Sequence, residues 1–119
     1  MKDFPVYFAA LGFTLMGLGA LFKPSLVTVQ FGIPTLTAAG RNEVRAVYGG
    51  FGVTMAAMLM LALTRADLRA GILLTLGWAL AGMAGGRALS AAIDLRIDKG
   101  PLLYLLLEAV IAAGLLHAI

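Results

Sequence analysis

Five side chains in this chain could do chemistry inside an apolar matrix: Arg45, Tyr48, Arg87, Tyr104 and Glu108. Glu108 is the most telling. It lies seven positions past Pro101, about 10 Å along a helix, and a glutamate is too short to reach water from that depth. Such a carboxylate has to be paired, protonated or solvated by a cavity. Two roles suit it about equally: a structural ion pair with Arg87, or the counter-charge of a ligand site. Arg87 has a simple alternative of its own, because it lies a turn or two from the end of its helix and could extend its charge to the interface.

Arg45 belongs to a denser stretch, Arg41-Asn42-Glu43-Val44-Arg45-Ala46-Val47-Tyr48-Gly49-Gly50-Phe51-Gly52, in which charge, a tyrosine and glycines run into a long apolar segment. On an α-helix, Arg45, Tyr48, Gly49 and Gly52 follow i, i+3, i+4, i+7 and share one face. Tyr104 and Glu108 stack at i, i+4, and Arg87, Ser90, Ala91 and Asp94 form a third line. The economical arrangement turns these stripes toward one another, with Arg45 and Arg87 close to Glu108. Glu43, Arg45, Tyr48, Gly49, Arg87, Tyr104 and Glu108 are therefore the candidate ligand-binding residues. Each has a plainer role: the tyrosines as interfacial aromatics, the glycines as a tight helix crossing, Arg45 as a marker of the membrane boundary.

No catalytic residue, metal or cofactor is expected. The chain has no cysteine, one histidine (His117, close to the C-terminus) and six acidic residues, several beside arginines; these do not make a metal cluster or a nucleophile dyad. Its net charge of +3 is spread singly over segment ends, as for groups flanking membrane spans. Nucleic acid is not an expected partner.

The elements that must position these groups follow from composition. Of 119 residues 61% are hydrophobic and 13% charged, and the mean hydropathy is +0.98, far from a soluble domain. The expected fold is an all-α integral membrane protein: one domain over 1–119, an antiparallel bundle of four transmembrane helices with a long first loop, and spans at about 6–22, 42–64, 68–92 and 101–119. The first run could be a secretory signal, but Lys23-Pro24 follows it instead of a small-residue cleavage site, so it is taken as a retained helix. Gly12 and Gly17 would let that helix pack closely. Residues 23–41 hold Pro24, Pro34 and the apolar Leu26, Val27, Val29, Phe31, Ile33 and Leu36, which suits an interfacial segment or a cap folded over the helices. Arg65-Ala66-Asp67-Leu68-Arg69 forces a helical hairpin. Trp78 and the small-xxx-small run Gly82 to Gly86 read as packing, the methionines as flexible filler, and Pro101 as the first turn of the last helix. Four antiparallel crossings put all five polar groups in one half of the bilayer. Lysine and arginine divide almost evenly between the two sides, so the positive-inside rule assigns no orientation.

At Glu43-Val44-Arg45-Ala46-Val47-Tyr48-Gly49-Gly50, with a proline after helix one (Pro24) and a long first connection, the chain resembles a bacterial family of small four-helix membrane proteins classed as a domain of unknown function, related in build to the DoxX-like proteins. The resemblance implies a multi-pass protein of the inner (plasma) membrane without an established activity. Glu43, Arg45, Tyr48, Gly49 and Gly50 are the positions that match its pattern.

The leading functional expectation is a binding or carrier protein. A polar cavity within the membrane would use Arg45 and Arg87 to hold a polar or anionic head, with Glu108 balancing the charge and apolar walls suiting a lipid or other small amphipathic molecule. One rival is a partner subunit or homo-oligomer whose glycine faces are the functional surface. The other is an enzyme acting on a membrane-soluble substrate, with Glu108 as proton donor or acceptor.

Overall fold

The structure, a computed structural model, describes residues 2–119 and is mostly helical, with no strand among the described residues. Helix α1 (Phe4–Phe22) starts with Pro5 in its first turn, where the missing donor costs nothing. It ends at Lys23 because the residue before Pro24 is excluded from helical geometry. The long connection is not a loop throughout. A single turn, α2 (Ser25–Thr28), passes into a 3₁₀ turn (Val29–Phe31) that stops at Gly32, whose φ of 81° only glycine adopts readily. Val27 and Thr28 are buried, so this stretch packs on the helices and is not a solvated linker.

The next helix begins at Ala38, four residues before the expected start. The cause is Thr37, an extended N-cap whose hydroxyl accepts a 3.0 Å hydrogen bond from the Gly40 amide. Helix α3 (Ala38–Val44), a π-helical stretch (Arg45–Gly50) and α4 (Phe51–Thr64) then run as one rod. Arg65 alone separates α4 from α5 (Ala66–Asp94), which overruns the expected 68–92 at both ends. Leu95 closes α5 in the left-handed region, and α6 (Lys99–His117) starts two residues early, with Pro101 in its first turn. Among the described residues, four helices are long and apolar enough to cross a membrane: Phe4–Phe22, Ala38–Thr64, Ala66–Asp94 and Lys99–His117.

The core is built from small and branched residues on facing stripes: Val6, Ala9 and Phe13 of α1, Ala56 and Leu59 of α4, Leu73, Leu76 and Leu80 of α5, Ala112 and Leu115 of α6. Helix α1 docks antiparallel on the α3–α4 rod, and α5 on α6. The α1 crossing depends on glycine. A Cβ on Gly17 would lie 2.8 Å from the Val53 amide nitrogen, and one on Gly52 would lie 3.1 Å from the Gly17 Cα. On α5 the crossing residue is Gly77, where a Cβ would meet Leu116 at 2.7 Å.

Other glycines depart from expectation. Gly12 does not pack against a helix, and Gly82, Gly85 and Gly86 have nothing within 4 Å of a Cβ position. Trp78, expected in packing, is 63% exposed on the outer surface of α5. Small residues permit close approach but do not cause it; a neighbour must dock on that side.

Candidate functional site

The π-helical stretch breaks the expected face of the second long helix. Each residue of an i→i+5 turn advances less around the axis than in an α-helix, so Arg45 does not line up with Gly49 and Gly52. Gly49 and Gly52 are buried, while Arg45 is exposed. The Arg45 Nε donates a 3.1 Å hydrogen bond to the Leu21 carbonyl, one of the unpaired acceptors at the end of α1. Arg45 is in no ion pair among the described residues, which corrects its expected place beside Glu108. Gly49 lies under Leu21, 2.8 Å from where its Cβ would be, so its role is close packing. Tyr48 is half-buried against Ala20, Val27 and Val44. Glu43 is exposed.

Arg87, Tyr104 and Glu108 do converge. The guanidinium of Arg87 approaches Glu108 as a fork, its Nε donating to Oε1 at 2.7 Å and its Nη2 to Oε2 at 3.1 Å. This two-bond geometry is the strongest form of such a pair. The side chains are 20% and 7% exposed respectively. The Arg87 Cζ is 5.5 Å from the ring centre of Phe31 and 5.5 Å from that of Tyr104, and the two rings are 5.2 Å apart. The cation thus has a carboxylate at its edge and two aromatic rings at its face, both within cation–π range.

Phe31 was not among the candidate residues. It arrives from the 3₁₀ turn of the connection, which is pressed so closely on the start of α6 that a Cβ at Gly100 would overlap the Gln30 carbonyl. The sequence carries a weak sign of this: an apolar residue just before a glycine, in a segment bounded by Pro24 and Pro34.

Two hollows meet at the Arg87–Glu108 pair. The first, about 430 Å³, is a groove where α1 and α6 stand apart: Gly12, Met16 and Gly19 form one wall, Tyr104, Leu107 and Ile111 the other, and Leu26, Val27 and Gln30 the roof. Glu108 is the one charged residue among the described residues that line it. Tyr104 lines this groove, and its hydroxyl makes no hydrogen bond among the described residues. The second hollow, about 500 Å³, lies between the end of α5 and the start of α6; Arg87, Ser90, Asp94, Arg96 and Asp98 make it polar. The ion pair is the partition, Glu108 facing the apolar side and Arg87 the polar one. No group of three or more metal-binding side chains occurs among the described residues.

Residues 3–118 match the family model for a domain of unknown function, DUF4345. No curated protein and no solved structure matches the chain.

Proposed function

The chain belongs to the DUF4345 family, and from that premise we propose that it is a multi-pass membrane protein that binds or carries a small amphipathic molecule in the groove between α1 and α6. The observation that carries this reading is the groove itself: apolar walls with a buried carboxylate and a tyrosine among them, the composition of a pocket that takes a greasy body and fixes one polar point. In this reading the four long helices form one antiparallel bundle across a bacterial inner membrane, DoxX-like in build, and residues 23–37 cap the mouth. Arg87 acts by holding Glu108 in place.

The test uses the open glycines. Nothing lies within 4 Å of a Cβ on Gly12 or Gly19, and both line the groove, so Gly12→Leu and Gly19→Leu would fill it without disturbing a packed contact. Native mass spectrometry of protein released gently from its own membranes should find a co-purifying amphiphile that both variants lose and Arg45→Ala keeps. Bulk lipid alone, unchanged by the fillings, would overturn the reading.

A second reading, a partner subunit or homo-oligomer, is favoured by the outer surface of α5. There Gly82 and Gly85 are open and Trp78 is exposed, a surface on which another helix could come close. The enzyme reading is weaker, because both carboxylate oxygens of Glu108 are already engaged by Arg87.

A further inference from the structure

The groove has more to say about its occupant's head than about its tail. The geometry points to an uncharged amphiphile with a hydroxyl head, which donates a hydrogen bond to Glu108 and accepts one from Tyr104; this deepens the groove-binding reading and rests on it. Glu108 and Tyr104 are one helical turn apart on α6 and both line the groove. An ionised carboxylate only accepts. Each of its oxygens has two lone-pair sites, and Arg87 uses one on each, so acceptor capacity remains on a residue that lines the groove. The phenol can donate, and nothing within the described residues takes its proton. A hydroxyl is the simplest head that offers a donor to the one and an acceptor to the other.

Charge argues the same way. The Arg87–Glu108 pair is neutral as a whole, with its negative end toward the groove and the guanidinium lining the other hollow. An anionic head would meet the carboxylate first, with no cation lining the groove to offset the repulsion. A cationic head would be attracted but would have to give up its hydration in an apolar groove for a carboxylate that already has a partner. An ether can accept from Tyr104 but leaves Glu108 unused.

The probes that test this are dodecanol, its methyl ether, dodecanoate and dodecylammonium, each presented to the purified full chain in phosphatidylcholine nanodiscs and read by native mass spectrometry. Dodecanol should be retained about tenfold or more over the ether and the carboxylate, the size of one hydrogen bond to a charged group, and should exceed dodecylammonium. Tyr104→Phe, which keeps the ring against Phe31 and Arg87, should reduce that advantage. The double variant Arg87→Met with Glu108→Met, which removes both charges and leaves neither uncompensated, should abolish the advantage over the ether while the groove still takes both. Equal retention of the four by the natural protein would overturn the hydroxyl assignment and leave a non-selective groove. A preference for dodecanoate or dodecylammonium would overturn it in favour of a charged head, as would an alcohol preference that survives the double variant in favour of another anchor. Retention of none, by protein that is folded, would remove the groove-binding reading and the head assignment together.

Discussion

Arg69 and Arg87 lie on the same helix, five turns and about 27 Å apart, and therefore on the same face. Each clamps α5 to the C-terminal helix or its flank, yet the two clamps have different surroundings. Arg69 gathers the chain's two ends. Its Nη1 pairs with Asp3 at 2.8 Å, and its Nε and Nη2 donate to the Ala118 carbonyl at 3.2 and 3.0 Å. Nearby, Pro5 of α1 rests on Gly114 of α6, and the helices touch. Asp3 is 56% exposed, and Arg69 lines neither of the two hollows. Arg87, by contrast, holds a carboxylate that is almost wholly buried, under two aromatic rings, between two hollows, where α1 and α6 have parted. The lesson is that an arginine clamp is not in itself a site. The closed end has a staple; the open end has the same chemistry with room beside it.

The largest expected effect tests whether the open end's pair is a buried unit. Arg87→Leu leaves the Glu108 carboxylate without its partner and too short to reach water, and should destabilise the protein by about 3–5 kcal/mol. The double Met variant should be near the natural protein, because replacing a buried pair as a whole is often neutral or better. Midpoints of unfolding in sodium dodecyl sulfate measure both. A single variant as stable as the natural protein would mean the pair is solvated, and the contrast with Arg69 would fail.

Glycines sharpen the contrast next. At the closed end a Cβ on Gly114 would lie 2.9 Å from the Pro5 Cβ, so Gly114→Leu forces α1 and α6 apart, at about 1–3 kcal/mol. At the open end Gly19→Leu should change stability by less than about 0.5 kcal/mol and only reduce the groove. Equal losses on the two sides would show that the groove closes in the native protein. Phe31→Ala follows. It strips one ring from the Arg87 cation and loosens the cap, an effect of about 1–2 kcal/mol for a half-buried side chain. It should also speed proteolysis within residues 23–37; an unchanged cleavage rate there would mean that the cap is held by Val27 and not by the aromatic contact.

How much of this was legible beforehand differs by kind of signal. The four apolar helices were, because long apolar windows bounded by proline and charge leave few alternatives. The Arg87–Glu108 pair was legible for a related reason: a glutamate so far from a helix start has to find a partner. The place of Arg45 was not. Aligning it with Gly49 and Gly52 assumed α-helical rotation through a stretch that is π-helical, and nothing in Arg45-Ala46-Val47-Tyr48-Gly49-Gly50 announces the wider turn. Glycine composition was equally mute about docking. Gly17 and Gly52 face each other across a crossing while Gly82 and Gly85 face nothing, a difference set by which helix lies alongside. Phe31 belongs to the same class. Apolar residues in a connection are visible, but the one that reaches a cation in another helix is chosen by how the cap lands on Gly100.

The smallest expected effect belongs to the staple. Arg69→Ala removes one ion pair to an exposed aspartate and the hydrogen bonds to the Ala118 carbonyl. An exposed pair contributes about 0–1 kcal/mol, and the last carbonyls of a helix can be satisfied by water when they lie at its end. The loss should therefore be about 1 kcal/mol or less, several times below that of Arg87→Leu. Hydrogen exchange should show it as faster opening of the first turn of α1 and the last turn of α6, with the amides around Glu108 unchanged. A loss equal to that at Arg87, or one that spreads to the groove, would mean that the two ends are coupled through α5. The open end would then owe its shape to the staple at the other, and the division of labour between the two arginines would have to be abandoned.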